Sequence, residues 1–168
     1  MLQSFIKFGL VGGLGVFVNL GVLWLLRSIG VTDTAASAVA IEVSILSNFV
    51  LNERWTFRDR ADELGREGLW SRAVRFQLVS GAGALLQWSA FVGLNVLWIY
   101  WGVSADASAH SWLSYQQELS TGAWHHVITS PPEVGAWVYL SQLIGIAGAT
   151  AWNFLMNYYW TWAHRHAK

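Results

Sequence analysis

The sequence predicts an all-α membrane protein with four transmembrane helices, formed by a duplicated helix pair and with both termini cytoplasmic. Three observations predict it. Of 168 residues, 54% are hydrophobic and only 12% charged, too little charge to cover a soluble domain of this length. The stretch NFVLNERWTF, residues 48–57, returns 105 residues later as NFLMNYYWTW, residues 153–162. Nine of the ten Lys and Arg residues fall on one side of the apolar runs.

Composition sets further bounds. Mean hydropathy is +0.37, and twelve Trp with only two Pro suit membrane helices with aromatic belts. Cys is absent, which removes disulfides and thiolate metal sites. Formal net charge is zero, and no nucleic-acid partner is expected. One membrane domain over residues 1–168 is the expectation.

The first apolar run, 8–26, has 19 residues and no charge; at 1.5 Å per residue it reaches about 28 Å, enough to cross the hydrocarbon core. A single cation precedes it, and no small-residue cleavage pattern follows in 27–34. It is expected to be a retained helix rather than a removed signal peptide. The second run, about 35–51, carries one acid, Glu42. A polar segment, 53–75, leads to the third run, 76–100, and the fourth covers about 137–159.

The odd runs repeat as well. KFGLVGGLG, from Lys7, matches RFQLVSGAG, from Arg75, and four residues further on Asn19 matches Gln87. Glycines at this spacing let membrane helices approach closely. Orientation follows from charge. Lys7, the six Arg from Arg54 to Arg75, Arg165 and Lys168 lie on one side, and only Arg27 on the other. The positive-inside rule then makes that side cytoplasmic.

The external loop, 103–136, has no Lys or Arg. Trp112, Tyr115, Leu119, Ala123 and Val127 recur at helical spacing, as in an amphipathic helix lying on the outer interface. Pro131-Pro132 ends it. His125-His126 are read as surface residues, since adjacent histidines lie on different helix faces.

No nucleophilic triad, phosphate-binding glycine loop or metal-ligand set is present, so no catalytic residue, metal or cofactor is assigned and the chain is not expected to be an enzyme. The informative groups are polar residues within the apolar runs: Asn19, Glu42, Asn48, Asn52, Gln87, Asn153 and Asn157. Behind each Asn pair the spacing of four continues backward, through Ser44 and Ala40 in one copy and Ala149 and Gly145 in the other. Each copy is thus a helix stripe of small residues that turns into carboxamides. Two readings stand for these Asn. They tie helices together, or they join Arg54, Arg58 and Arg165 around a phosphate that carries hydroxylated groups. Trp55 and Trp160 are read as interface anchors, whose faces also suit a sugar ring or an isoprenoid. Glu42 has two readings too: a proton or polar site with Asn19 and Gln87, or a protonated acid bonded across helices, with Asn19 as the candidate partner.

KFGLVGGLG, Asn19 and NFVLNERWTF followed by Arg58, with RFQLVSGAG and NFLMNYYWTW, resemble the GtrA-like family of small four-helix membrane proteins. The resemblance implies translocation of a polyprenyl-phosphate-linked sugar across the cytoplasmic membrane for surface-polysaccharide or glycolipid assembly, with a glycosyltransferase partner. The long outer loop and Tyr158-Tyr159 depart from the family pattern. The substrate-binding residues expected on this reading are Asn48, Asn52, Arg54, Trp55, Arg58, Asn153, Asn157 and Trp160, in a chain that sits among membrane lipids as a homo-oligomer, a dimer in the first instance. A membrane anchor for a glycosyltransferase and a small proton-coupled multidrug-type exporter are the alternatives.

Overall fold

The computed structural model describes residues 1–31, 33–102, 111–121 and 134–163, and every regular element within them is helical. The expectations for Ala123, His125, His126, Val127, Pro131, Pro132, Arg165 and Lys168 lie outside these residues. The elements are α1 (Leu2–Ser28), α2 (Asp33–Leu51), α3 (Arg58–Leu64), α4 (Leu69–Tyr100), α5 (Trp112–Ser120) and α6 (Trp137–Met156). Among the described residues, two helices are long and apolar enough to cross a membrane: α1, and the 35-residue run from Arg66 that contains α4. Only 11% and 17% of their apolar windows are buried, so neither is the core helix of a soluble protein. The chain divides into two compact units, one formed by Met1–Gly81 with the segment from Trp152 onward, the other by Ala82–Ala151.

Most of the polar segment 53–75 is helical. Gly65, at φ 70°, ends α3 in a conformation that only glycine adopts freely. A short 3-10 turn, Arg66–Gly68, then starts α4 seven residues before the apolar run begins. Charge does not stop the helix there because Arg72, only 4% exposed, is neutralised by Glu53. The other boundaries shift less: α1 extends past both ends of 8–26, and α6 stops at Met156.

In the first unit the repeat is visible as pairs of side chains. Its aromatic core contains Phe8 with its counterpart Phe76, Phe49 with Phe154, and Phe57 with Trp162. Their contacts come in matched sets. Phe8 lies 6.2 Å from Phe57, and Phe76 lies 5.9 Å from Trp162. Phe8 lies 5.8 Å from Phe154, and Phe76 lies 5.7 Å from Phe49. Phe57 and Trp162 stack on each other at 4.4 Å and 20°. Such ring pairs contribute about 0.5–1.5 kcal/mol each beyond area burial.

The glycine-rich start of α1 is used at one position. A Cβ on Gly15 would sit 2.5 Å from the Asn48 carboxamide, whereas Gly9, Gly12 and Gly13 meet nothing within 4 Å. The Ser44 hydroxyl donates to the Gly15 carbonyl at 2.7 Å, so α1 and α2 touch backbone to side chain at this level. Gly15→Ala is expected to destabilise the protein by about 1–3 kcal/mol through overpacking, and Gly12→Ala to change nothing. Thermal midpoints of the two purified variants check this; equal midpoints would mean Asn48 moves aside freely.

In the second unit, α5 begins at Ser111, whose side chain forms a reciprocal capping box with Ser114. Part of its expected apolar stripe is covered within this unit. Tyr115 packs with Ile99 and Val134, flanked by Leu119, Val96 and Val138. Burial first, then the charge of Glu118, raises the Tyr115 hydroxyl pKa above its usual value. Trp98 donates to the Ser141 hydroxyl at 2.9 Å and joins α4 to α6.

Candidate functional site

Both copies of the repeated motif end in the same unusual turn. Asn52–Thr56 and Asn157–Thr161 are π-helical: the Asn52 carbonyl accepts from the Phe57 amide at 2.8 Å, and the Asn157 carbonyl from the Trp162 amide at 2.9 Å. The wider turn accommodates one extra residue and re-aims the side chains that follow it. Lys7 lies 5.6 Å over the Trp55 ring and Arg75 5.7 Å over the Trp160 ring. The two Trp of the motif are therefore held by the cations that precede the apolar parts of α1 and α4, each contact worth about 0.5–1 kcal/mol where exposed.

The four Asn are enclosed to different degrees, Asn48 and Asn153 only partly, and they differ between copies. Asn52 and Asn157 are fully buried. In the second copy the Asn157 amide donates to the Asn153 carbonyl at 2.8 Å, and the Thr161 hydroxyl donates to the Asn157 side-chain oxygen at 2.7 Å. The side-chain oxygens of Asn48, Asn52, Thr56 and Asn153 are buried without a hydrogen-bond partner among the described residues. None of the four Asn lines the cleft described next.

The copies part most sharply at Glu53-Arg54, which becomes Tyr158-Tyr159. Glu53 is a hub. Arg72 forks onto it, with Nε to Oε2 at 3.0 Å and Nη2 to Oε1, and the Trp162 indole N–H donates to Oε2 at 2.7 Å. Arg72 also donates to the Gly65 carbonyl at 3.1 Å. Gly68 leaves it room, since a Cβ there would lie 2.8 Å from the guanidinium. On the other copy, Arg60 stacks on the Tyr158 ring at 3.5 Å and donates to the Tyr158 and Trp162 carbonyls. This places a cation at the open end of the second π turn, where carbonyls lack helical partners.

These locks bound a cleft of about 680 Å³ between the end of α2, α3 and the start of α4. Phe49, Val50 and Leu69 give it apolar walls; Arg54, Arg58 and Arg66 give it charge. Arg72 is committed to Glu53, and Arg58 lies 3.7 Å from Asp62 on an exposed helix face. Arg54 and Arg66 form no ion pair among the described residues. Two guanidiniums thus stand ready beside an apolar wall. That combination suits a phosphate with a long apolar tail, because a guanidinium fork matches phosphate oxygens. Among the described residues no three His, Asp or Glu are grouped to hold a metal.

Of the residues singled out by sequence, the cleft gathers Arg54 and Arg58 only. Trp55 and Trp160 serve as platforms for cations. Glu42 is on an exposed face of α2 and accepts from the Gln77 amide; the expected partner, Asn19, is not the one it takes. Gln87 belongs to the second unit. Sequence reasoning missed Arg66, Leu69 and Arg72. The signal was available in the helical spacing of Leu69, Arg72, Ala73 and Phe76, behind the glycines at 65 and 68.

Comparison with known proteins gives two findings. The family described as "GtrA/DPMS, transmembrane domain" matches residues 7–115. A dolichol-phosphate mannosyltransferase of Pyrococcus furiosus is 34% identical over 100 residues, which cover 60% of this chain and 27% of that protein. The chain thus spans about a quarter of the length of this relative.

Proposed function

The chain belongs to the GtrA/DPMS transmembrane-domain family and is a membrane protein, and from that premise we propose that it captures a polyprenyl-phosphate-linked sugar and moves it from the inner to the outer leaflet of the cytoplasmic membrane. On this reading α1, α2, α4 and α6 span the bilayer. The Arg-rich segment and both termini face the cytoplasm, as the Lys and Arg asymmetry asks. Two copies form the working unit, and no covalent chemistry is assigned to it.

The observation that carries the proposal is the cleft, with Arg54 and Arg66, which form no ion pair among the described residues, beside Phe49, Val50 and Leu69. A lipid-linked sugar presents the matching parts: an anionic phosphate at headgroup level and a hydrocarbon chain that continues along the apolar wall. Removal of the sugar by an outer acceptor supplies the drive by mass action.

A second reading is favoured by the relative, a named mannosyltransferase of which nearly three-quarters lies outside the matched stretch, since that stretch covers 27% of it. The chain would then anchor or serve a glycosyltransferase partner that supplies the chemistry. The exporter reading would make Glu42 a proton site; in the single chain its carboxylate accepts from Gln77 on an exposed face of α2.

Purified protein in liposomes is expected to speed equilibration of a polyprenyl-phosphate sugar between leaflets with no enzyme added. Rates equal to those of empty liposomes, together with tight binding of a glycosyltransferase, would replace translocation by the accessory role.

A further inference from the structure

The second unit holds a smaller pocket of about 340 Å³, between α4 and α6, lined by Ala84, Gln87, Trp88, Phe91 and Gln142. We infer that it is a sugar subsite, in which the Gln87 and Gln142 carboxamides take the hydroxyls of an uncharged sugar ring and Trp88 covers its C–H face. The inference rests on the reading of the substrate as a lipid-linked sugar and names a place for its sugar ring.

Position comes first. Gln87 is twelve residues beyond Arg75, about 18 Å along a helix, well inside a hydrocarbon core about 30 Å thick. Polar side chains at such depth are costly unless they meet a partner. Neither carboxamide has a hydrogen-bond partner among the described residues, and Gln142 stands exposed on its helix.

Chemistry comes second. Each carboxamide offers two N–H donors and an acceptor oxygen, the complement of vicinal hydroxyls that both donate and accept. The pocket is lined by no charged residue, so it holds the neutral ring and not the phosphate. Trp88 is 41% exposed, which leaves a ring face open to the apolar side of a sugar.

The shape has a cause. A Cβ on Gly145 would lie 2.9 Å from the Gln87 carbonyl, so α4 and α6 touch there. Gln142 stands one turn before Gly145 on the same face of α6, and the pocket lies beside that contact.

The test uses the full chain in lipid nanodiscs and two photoreactive probes: an alkyl glycoside with a diazirine on the sugar, and the same alkyl chain with a diazirine and no sugar. The glycoside is expected to label residues of the pocket, and the sugar-free probe is not. Gln87→Leu with Gln142→Leu is expected to reduce glycoside labelling about tenfold, as loss of two or so hydrogen bonds implies. Gln142→Leu alone, at an exposed position, gives a partial loss even where the double variant folds poorly. Equal labelling by both probes, unchanged labelling of the variants, or cross-linking of the pocket to a second copy that excludes both probes would each overturn the subsite. Labelling without leaflet exchange in liposomes would keep the subsite and remove translocation; exchange without labelling would remove the subsite alone.

Discussion

Changing Arg72 to Ala is expected to cost about 3–5 kcal/mol, the usual consequence of removing one partner from a buried ion pair. Both side chains are enclosed, at 5% and 13% exposure, so solvent cannot take over the charge left on Glu53. The pair also ties three segments together: the first π turn through Glu53, α4 through Arg72, and the second π turn through the Trp162 indole. Glu53→Gln should be milder, because an amide oxygen still accepts from Trp162 and one bond from Arg72 remains. Replacing both residues by Leu removes the unpaired charge and should recover much of the loss. It leaves the Trp162 N–H without an acceptor, a residual cost of about 1–3 kcal/mol. Thermal midpoints of the detergent-solubilised variants should therefore rank Arg72→Ala lowest, the double Leu variant above it, and wild type highest. If Arg72→Ala melts with wild type, the pair does not hold the cleft wall, and the start of α4 is fixed by Gly65 and the aromatic core instead.

Much of the helical architecture is legible in this sequence because lipid leaves few alternatives: in hydrocarbon a backbone must satisfy its own hydrogen bonds, so apolar runs read directly as helices. The repeat is legible for the same reason that it is used. Identical spacing produces identical π turns, and Phe8, Phe49 and Phe57 meet the counterparts of one another across the core. What is not legible is which polar residues share a cavity. Asn48, half-buried on α2, packs against Gly15 and Asn52 is buried in the π turn, while Arg54, two residues further on in the same turn, is exposed. One inserted residue decides that difference, and neither helical nor strand periodicity encodes it. Arg72 is hidden for another reason. A buried arginine looks in sequence like its five neighbours in a basic loop, and only its partner Glu53, nineteen positions away, distinguishes it.

That distinction among the arginines leads to the largest functional effect. Arg54 and Arg66 are exposed and carry no ion pair among the described residues, whereas Arg58 has Asp62 beside it at 3.7 Å. A charge-assisted hydrogen bond contributes about 1.5–3 kcal/mol. For exposed guanidiniums the lower end applies, because water and salt screen them. Arg54→Gln or Arg66→Gln should then weaken binding of a polyprenyl-phosphate sugar about tenfold each, and the two together about a hundredfold. Leaflet exchange should slow in step where capture limits the rate. Arg58→Gln should do less, since its charge is already shared with Asp62. Neither the Arg54 nor the Arg66 side chain has an ion-pair or hydrogen-bond partner among the described residues, so the double variant should keep the wild-type thermal midpoint. Rising salt should weaken wild type more than the double variant, as the Debye length falls below the span of the cleft. Two results would move the phosphate elsewhere: a double variant that binds like wild type, or an Arg58→Gln loss as large as the double. The first would turn attention to Arg75 and Ser71 beside Thr161, a second basic recess in this unit, where a phosphate would meet hydroxyls instead of an apolar wall.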